Sequence, residues 1–288
     1  MANTVLYDTA NFLRWRLVPV RKLTKVKNKL VGRAAPPRRS VSFDPVRLEQ
    51  LQTSGCCPAL PVDPGVVGAI QEIYLPRAEK VVPTDKGHPF TNIMPPEDFN
   101  ADNPVFRLAF SDDILNAAEA YFDGKFSFAS IQVVRSFPTE GPLRESQKWH
   151  RDYGDSQSLH FIMYLNDVDS DDGGPFAYID RAKSKTVNRS PIIRRLTDEQ
   201  IAGEVGDDEY ERFYGKAGDA ILVDPAVCYH FGSRCKTPRT AIFITFNTHV
   251  PYTEMMQPLG SNRASAAQAA RKVRPDLSDE YIDSILQV

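Results

Sequence analysis

No stretch of this 288-residue chain holds the roughly 18–20 consecutive apolar residues that a bilayer-spanning helix needs, and no secretory leader pattern is visible. Cysteine is scarce. Of the four, Cys56 and Cys57 are adjacent and Cys228 and Cys235 flank a histidine, so the set does not read as a disulfide framework and a reducing cytoplasm fits best. Charge of one sign is lacking too: a net charge of −2 gives no reason to expect nucleic-acid binding by the chain as a whole. There is no internal repeat and no low-complexity tract. What remains is an ordinary globular composition, 42% hydrophobic and 25% charged, long enough to bury one sizeable core with extensions.

The balanced total hides a basic end. Residues 1–40 carry Arg14, Arg16, Arg21, Lys22, Lys25, Lys27, Lys29, Arg33, Arg38 and Arg39 against Asp8 alone. Phe12, Leu13, Trp15, Leu17, Val20, Leu23, Val26 and Leu30 are interleaved with them, and from Leu23 the spacing of three and four predicts a short amphipathic helix, interrupted upstream by Pro19. Three readings stay open for this arm: a helix packed on the main domain, a peripheral contact of residues 11–31 with a membrane surface or anionic glycolipid, and nucleic acid, which nothing else in the sequence supports. Ala34 to Arg39 reads as a linker. The rest, 41–288, reads as a single domain.

Its first part, 41–125, is helical in pattern. Asp44 before Pro45 starts a helix over 43–53, and Asp63-Pro64-Gly65 starts another toward Ala78. Residues 83–105 have no clear pattern. Ser111 to Phe122 predicts a third helix, with a Ser cap and Gly124 as its stop. From Phe126 short β-rich runs take over: 126–137, 158–165, 176–180, 220–223 and 240–247. Such runs suggest a sandwich or barrel. A charged insertion, 181–214, holds a short helix at 198–204 and either covers a site mouth or decorates the surface. Terminal helices are expected within 250–288, at 265–272 and 278–286.

Chemistry concentrates in Ser146-Gln147-Lys148-Trp149-His150-Arg151-Asp152. In extended chain, residues i and i+2 point to one side, so His150 and Asp152 would face one point in space. The other meaning of a His-x-Asp is a solvated loop pair. A third ligand is at hand in His230, which lies in Val227-Cys228-Tyr229-His230-Phe231-Gly232. Two histidines and a carboxylate on one face of a metal leave its other positions open. That donor set alone fits zinc as well as iron. Gln147, Trp149 and Tyr164 are candidates to line the pocket, with packing the competing role for Trp149 and Tyr164. His160 alternates into a strand and reads as a core histidine, and His88 and His249 lack partners at ligand spacing. Asp219 after Gly218 reads as a turn former.

The order of these pieces carries more than any one of them. After the His-x-Asp come Ser158 to Leu165, Asn166-Asp167-Val168-Asp169 and Gly173-Gly174-Pro175-Phe176. Gly218-Asp219, His230 and Arg239 ahead of Thr240 to Phe246 follow. This ordered set, over about 126–249, resembles the phytanoyl-CoA dioxygenase-like family of Fe(II)- and 2-oxoglutarate-dependent oxygenases. A weaker echo lies near 51–61. The resemblance implies a mainly β chain with flanking helices around a double-stranded β-helix (jelly-roll, cupin-like) core at 126–249. It implies Fe(II) on His150, Asp152 and His230, with O₂ and the cosubstrate 2-oxoglutarate. Arg239 would hold the cosubstrate's far carboxylate, with Gln147, Trp149 and Tyr164 nearby. The connection from His230 to Arg239 is shorter than in many members, which makes Arg234 a rival anchor. The implied reaction hydroxylates an unactivated C–H bond of a small molecule, lipid or glycoconjugate and releases succinate and CO₂. Halogenating relatives replace the carboxylate ligand by a small residue, and Asp152 is present. Two other classes stay open: a non-catalytic jelly-roll protein that binds a metal or sugar, and a membrane-surface adaptor that works through its basic arm.

Overall fold

The computed structural model describes residues 17–31, 42–59, 61–83, 88–187, 193–207 and 209–288. The linker expected at 34–39 and the arm's Phe12, Leu13 and Trp15 lie outside the described residues.

The basic run forms α1 (Val18–Val31). It begins upstream of Leu23 because Pro19 falls in the first turn, where a missing N–H has no helical acceptor to lose. In α2 (Pro45–Ser54), Asp44 caps by accepting from the Val46 N–H, and left-handed Gly55 ends the helix. Strand β1 (Cys56–Pro58) follows, then α3 (Pro64–Lys80), capped by Asp63. The stretch 83–105, patternless in sequence, contains β2 (Phe90–Asn92), a 3₁₀ turn and α4 (Pro104–Ala109), which Asn103 caps. In α5 (Asp112–Phe122), Ser111 holds the cap position but its hydroxyl makes no capping bond, and Asp123 shares the left-handed stop with Gly124.

The β-rich part runs β3 (Phe126–Ser136), β4 (Trp149–His150), β5 (Ser158–Tyr164), β6 (Phe176–Tyr178), the single turn α6 (Arg181–Ser184), β7 (Arg195–Leu196), α7 (Asp198–Val205), β8 (Glu211–Phe213), β9 (Ala220–Val223), β10 (His230–Phe231) and β11 (Arg239–Thr248). Helices α8 (Arg263–Val273) and α9 (Asp279–Leu286) close the chain. The strands form two antiparallel sheets, a larger one ordered β1-β9-β5-β11-β3-β2 and a smaller one ordered β7-β4-β10-β6-β8. The insertion is therefore structural: β7 and β8 are the two edges of the smaller sheet, and α7 lies on its outer face through Ile201, packed with Trp149, Leu196 and Phe231.

Alternation assigns each face a job. On the larger sheet Leu159, Phe161, Met163, Ile242, Ile244 and Phe246 point outward into the main core, shared with the helices. The opposite parity, including Ile162, Ile221 and Phe243, packs against Phe176, Tyr178 and Phe213 of the smaller sheet. Two sheets pressed face to face, with helices outside, make a double-stranded β-helix, the jelly roll. The main core carries most of the stability: truncating a fully buried ring such as Phe246 to alanine costs about 3–5 kcal/mol.

Candidate metal centre

The space between the sheets is where alternation aims the polar side chains. Trp149 and Phe231 point outward, their rings 4.6 Å apart and nearly perpendicular. Their neighbours His150 and His230 must then point inward, and the β4–β10 register sets them directly opposite each other. Their ring centroids are 4.2 Å apart. Asp152 is held by its own N–H, which donates to the Pro225 carbonyl at 2.9 Å. Its Oδ1 lies 3.7 Å from His150 Nε2 and 3.8 Å from His230 Nε2.

Each imidazole is locked from behind. Nδ1 of His150 lies 2.8 Å from the Lys148 carbonyl, and Nδ1 of His230 lies 3.1 Å from the Cys228 carbonyl. A carbonyl only accepts, so Nδ1 carries the proton and the Nε2 lone pair faces the cluster. Burial, followed by the neighbouring His230, lowers His150 to about 3; burial also lowers His230 to about 4. Both rings are neutral near pH 7, the form that binds metals. One ligand atom from each of His150, Asp152 and His230 lies within 4.8 Å of the others, so the three fit a divalent cation as two neutral nitrogens and one charged oxygen. His160, which reads from sequence as a core histidine, also faces inward, with Nε2 3.7 Å from Asp152 Oδ2. Its inward parity was legible; its nearness to Asp152 depends on how 151–157 turns back.

Of the residues expected to meet the cosubstrate, Arg239 and Tyr164 come together. Arg239 is 2% exposed. Its Nη1 donates to the Gly174 carbonyl, its Nη2 lies 3.4 Å from Ser136 Oγ, and its Nε has no partner. No carboxylate among the described residues pairs with it. A buried guanidinium left without an anion fits an incoming carboxylate. Gly174 allows this approach: it is left-handed (φ +64°), and a Cβ there would lie 2.7 Å from Cys235. Tyr164 stands 5.7 Å from the guanidinium, its hydroxyl accepting from Phe176 N–H at 2.9 Å and donating to the Phe213 carbonyl at 2.8 Å. Its ring is a wall; burial raises its pKa.

Gln147, Trp149 and Arg234 sit elsewhere. The Gln147 amide donates to Thr139 Oγ1 and the Ser233 carbonyl and accepts from Arg144 N–H, which closes a loop. Trp149 donates its indole N–H to Asp198 on the outer face. Arg234 donates Nε to the Gln147 carbonyl and both Nη atoms to Asp198, with its guanidinium 3.5 Å over the Phe231 ring. His249 and His88 are not part of the cluster. Asp219 accepts from Lys216 N–H and so shapes its turn. An apolar cavity of about 190 Å³, lined by Val66, Leu108, Phe161 and Leu222 among others, lies on the helix side of the larger sheet, across from these residues.

Fold and site together define a jelly roll with two histidines and an aspartate facing inward. Solved structures share the fold. EctD from S. alaskensis, with 2-oxoglutarate and 5-hydroxyectoine, superposes with a TM-score of 0.53 at 16% identity over 78% of this chain and 83% of its own. The non-heme alpha ketoglutarate dependent epimerase SnoN from nogalamycin biosynthesis gives 0.52 at 16% over 72% and 85%. HygX from Streptomyces hygroscopicus, with nickel, 2-oxoglutarate and hygromycin B bound, gives 0.50 at 17% over 72% and 88%. No family model matches the sequence, and no curated protein matches it.

Proposed function

We propose that this protein is an Fe(II)- and 2-oxoglutarate-dependent oxygenase, allied to the phytanoyl-CoA dioxygenase-like family its motif order resembles. The observation that carries the reading is the pairing, inside one barrel, of the His150, Asp152, His230 cluster with a buried Arg239 that has no carboxylate partner among the described residues. His150, Asp152 and His230 would hold the iron, and Arg239 the far carboxylate of 2-oxoglutarate against the Tyr164 ring. Bound iron with 2-oxoglutarate and O₂ supplies a strong oxidant, and the cosubstrate leaves as succinate and CO₂.

The chain's own residues prepare that chemistry. The Lys148 and Cys228 carbonyls keep both Nε2 atoms unprotonated. Asp152 offers one negative charge, so the site stays net positive toward a second anion. The Phe176 ring lies 5.4 Å from that of His230 and the Phe243 ring 6.5 Å from that of His160, so both imidazoles have an apolar neighbour. The substrate class is a small molecule, lipid or glycoconjugate, and hydroxylation of an unactivated C–H bond is the outcome favoured here. The fold also serves an epimerase, SnoN, and a carbocyclase, SnoK, so product analysis must read the outcome. The test is an anaerobic titration with iron(II) and 2-oxoglutarate, then a metabolite screen for O₂-dependent succinate release. Failure of iron-loaded protein to bind 2-oxoglutarate, or undiminished turnover by Asp152→Ala, overturns the reading. A non-catalytic binding protein would bind metal and release no succinate.

A second reading concerns the arm. Leu23, Val26 and Leu30 of α1 are exposed, while the sequence there carries five basic residues and no acidic one. This combination suits an anionic membrane surface, with each basic group contributing about 1 kcal/mol there. Removing residues 1–40 should abolish binding to anionic liposomes; equal binding by both chains, or by neither, favours the packed arm.

A further inference from the structure

Three imidazoles surround Asp152, and they are not held alike. His150 and His230 approach one oxygen, Oδ1, while His160 approaches the other, with Nε2 3.7 Å from Oδ2. Strand register puts it there. His160 is central in the larger sheet, opposite Val223 of β9 and Thr245 of β11. It shares its parity with Ile162, whose side chain packs against the smaller sheet. The carboxylate therefore stands between the two sheets, with one oxygen toward the histidines of each.

The backs of the rings differ too. A carbonyl behind Nδ1 of His150 and of His230 fixes the proton there and leaves Nε2 as a lone pair. His160 makes no hydrogen bond to a described residue that would pin its Nδ1 in the same way. Its ring neighbour is Phe243, perpendicular to it with centroids 6.5 Å apart. An imidazole carries at least one N–H, and here Nε2 is the nitrogen with an acceptor before it. The 3.7 Å approach is about 0.5 Å beyond the long limit of an N–H···O bond, and contacts of this kind in active sites are often long until a ligand arrives.

Asp152 itself is anchored only through its backbone, by the N–H that donates to the Pro225 carbonyl. Its carboxylate accepts no hydrogen bond from a described residue, and the last torsion of an aspartate is broad. Left to itself the group would offer either oxygen, or both. We propose that His160 is the positioning residue of this centre: its Nε2–H holds Oδ2 of Asp152, so that Oδ1 alone is presented to the space shared by His150 and His230. A third histidine thus acts through the carboxylate; the compact cluster of ligand atoms comprises His150, Asp152 and His230 and leaves His160 out. One oxygen leaves more of a metal's positions open than a chelating carboxylate does. Calling Asp152 a metal ligand rests on the oxygenase reading; the hydrogen bond from His160 does not.

The first arm of the test uses the full-length chain without metal and follows the histidine ring N–H protons by ¹⁵N-resolved NMR, assigned through single replacements. His150 and His230 should carry theirs on Nδ1, and His160 on Nε2, protected from exchange with water. Asp152→Ala should speed that exchange at least about tenfold, the loss of one charge-assisted bond, and leave the His150 and His230 protons on Nδ1. A proton on Nδ1 of His160, or equal protection in Asp152→Ala, overturns the proposal. The second arm measures Co(II) affinity and the Co(II) absorption spectrum. His160→Gln, whose amide donates from the same place, should stay within about threefold of the parent and keep its spectrum, whereas the apolar His160→Leu should bind at least about tenfold more weakly with a changed spectrum. Equal affinities for the two variants leave His160 a packing role and overturn the proposal. Circular dichroism checks that both fold, and the first arm, which alters nothing on β5 in comparing parent with Asp152→Ala, decides should His160→Leu fail to. A parent that takes up no Co(II) strikes the metal reading and with it the role given to His160, while the NMR still shows whether the hydrogen bond stands.

Discussion

Asp152 and Asp224 lie at opposite extremes of satisfaction. Asp224 is fully buried and accepts from the Tyr121 hydroxyl at 2.6 Å, Ala226 N–H at 2.9 Å and Ser158 N–H at 3.2 Å. Asp152 accepts no hydrogen bond from a described residue and meets three imidazoles only at 3.7–3.8 Å. The arginines repeat the contrast: every guanidinium nitrogen of Arg234 is used, whereas the Arg239 Nε is an orphan in the interior. Asp224 and Arg234, which serve the fold, are saturated by it. Asp152 and Arg239 are held in place by backbone and packing and await something the chain does not contain.

The sharpest way to break this contrast is to remove both aspartates in turn. Asp152→Ala should abolish metal binding and turnover yet shift stability by no more than about 1 kcal/mol. Asp224→Ala should destabilise by about 3 kcal/mol, because Tyr121, Ser158 and Ala226 lose a buried acceptor together. Urea unfolding and metal titration on both variants read the two effects, and equal destabilisation would end the distinction.

The arginines give the next effect. Arg239→Gln should raise the 2-oxoglutarate concentration for half-maximal turnover at least about tenfold, with iron binding nearly unchanged. Arg234→Gln should leave that concentration alone and lower stability by no more than about 1 kcal/mol through its exposed partner Asp198. The reverse pattern would move the anchor to the outer face. A comparable but smaller loss is expected at His160: its replacement by alanine should weaken Co(II) affinity by about tenfold, as outer partners of ligand carboxylates do, and the Co(II) absorption spectrum should change with it.

The smallest effect is a pH dependence. Burial pushes Asp155 up to about 7 and Asp224 up to about 6, against the donors that favour their ionised forms. A carboxyl with a raised folded pKa binds more protons in the folded chain than in the unfolded one. Its contribution is therefore greatest below the ordinary carboxylate range and declines as pH rises from about 4 to about 7. His150 and His230, lowered by burial, act oppositely: their contribution grows as pH rises from about 4 to about 6.5 and is fully present above that. The metal-free parent thus shows only a difference of the two, and Asp155→Asn should remove part of the decline. Urea midpoints measured across this window, parent against variant, would show identical slopes if Asp155 is ionised throughout.

Much of this is legible in the sequence. His-x-Asp in extended chain fixes a common side, and Asp44, Asp63 and the glycine stops mark helix ends by local chemistry alone. Core strands of seven to eleven residues, β5 and β3 among them, carry enough alternation to be seen. The three-residue strand β2 does not, so 83–105 gave no pattern. Trp149 as a pocket residue conflicts with its own parity, since a neighbour of the inward His150 must face outward. The roles of Gln147 and Arg234 depend on Thr139 and Asp198, brought in by loops whose course no periodicity encodes.

His150 and His230 are direct partners across β4 and β10. Slipping β10 by one residue would exchange His230 for Phe231 on the inner face and scatter the ligand set. Only one alignment of chain segments eighty positions apart can chelate an ion here, so metal uptake doubles as a reporter of correct assembly. A refolding chain that has gained its sheets but not their true alignment would look folded by circular dichroism and remain unable to bind Co(II).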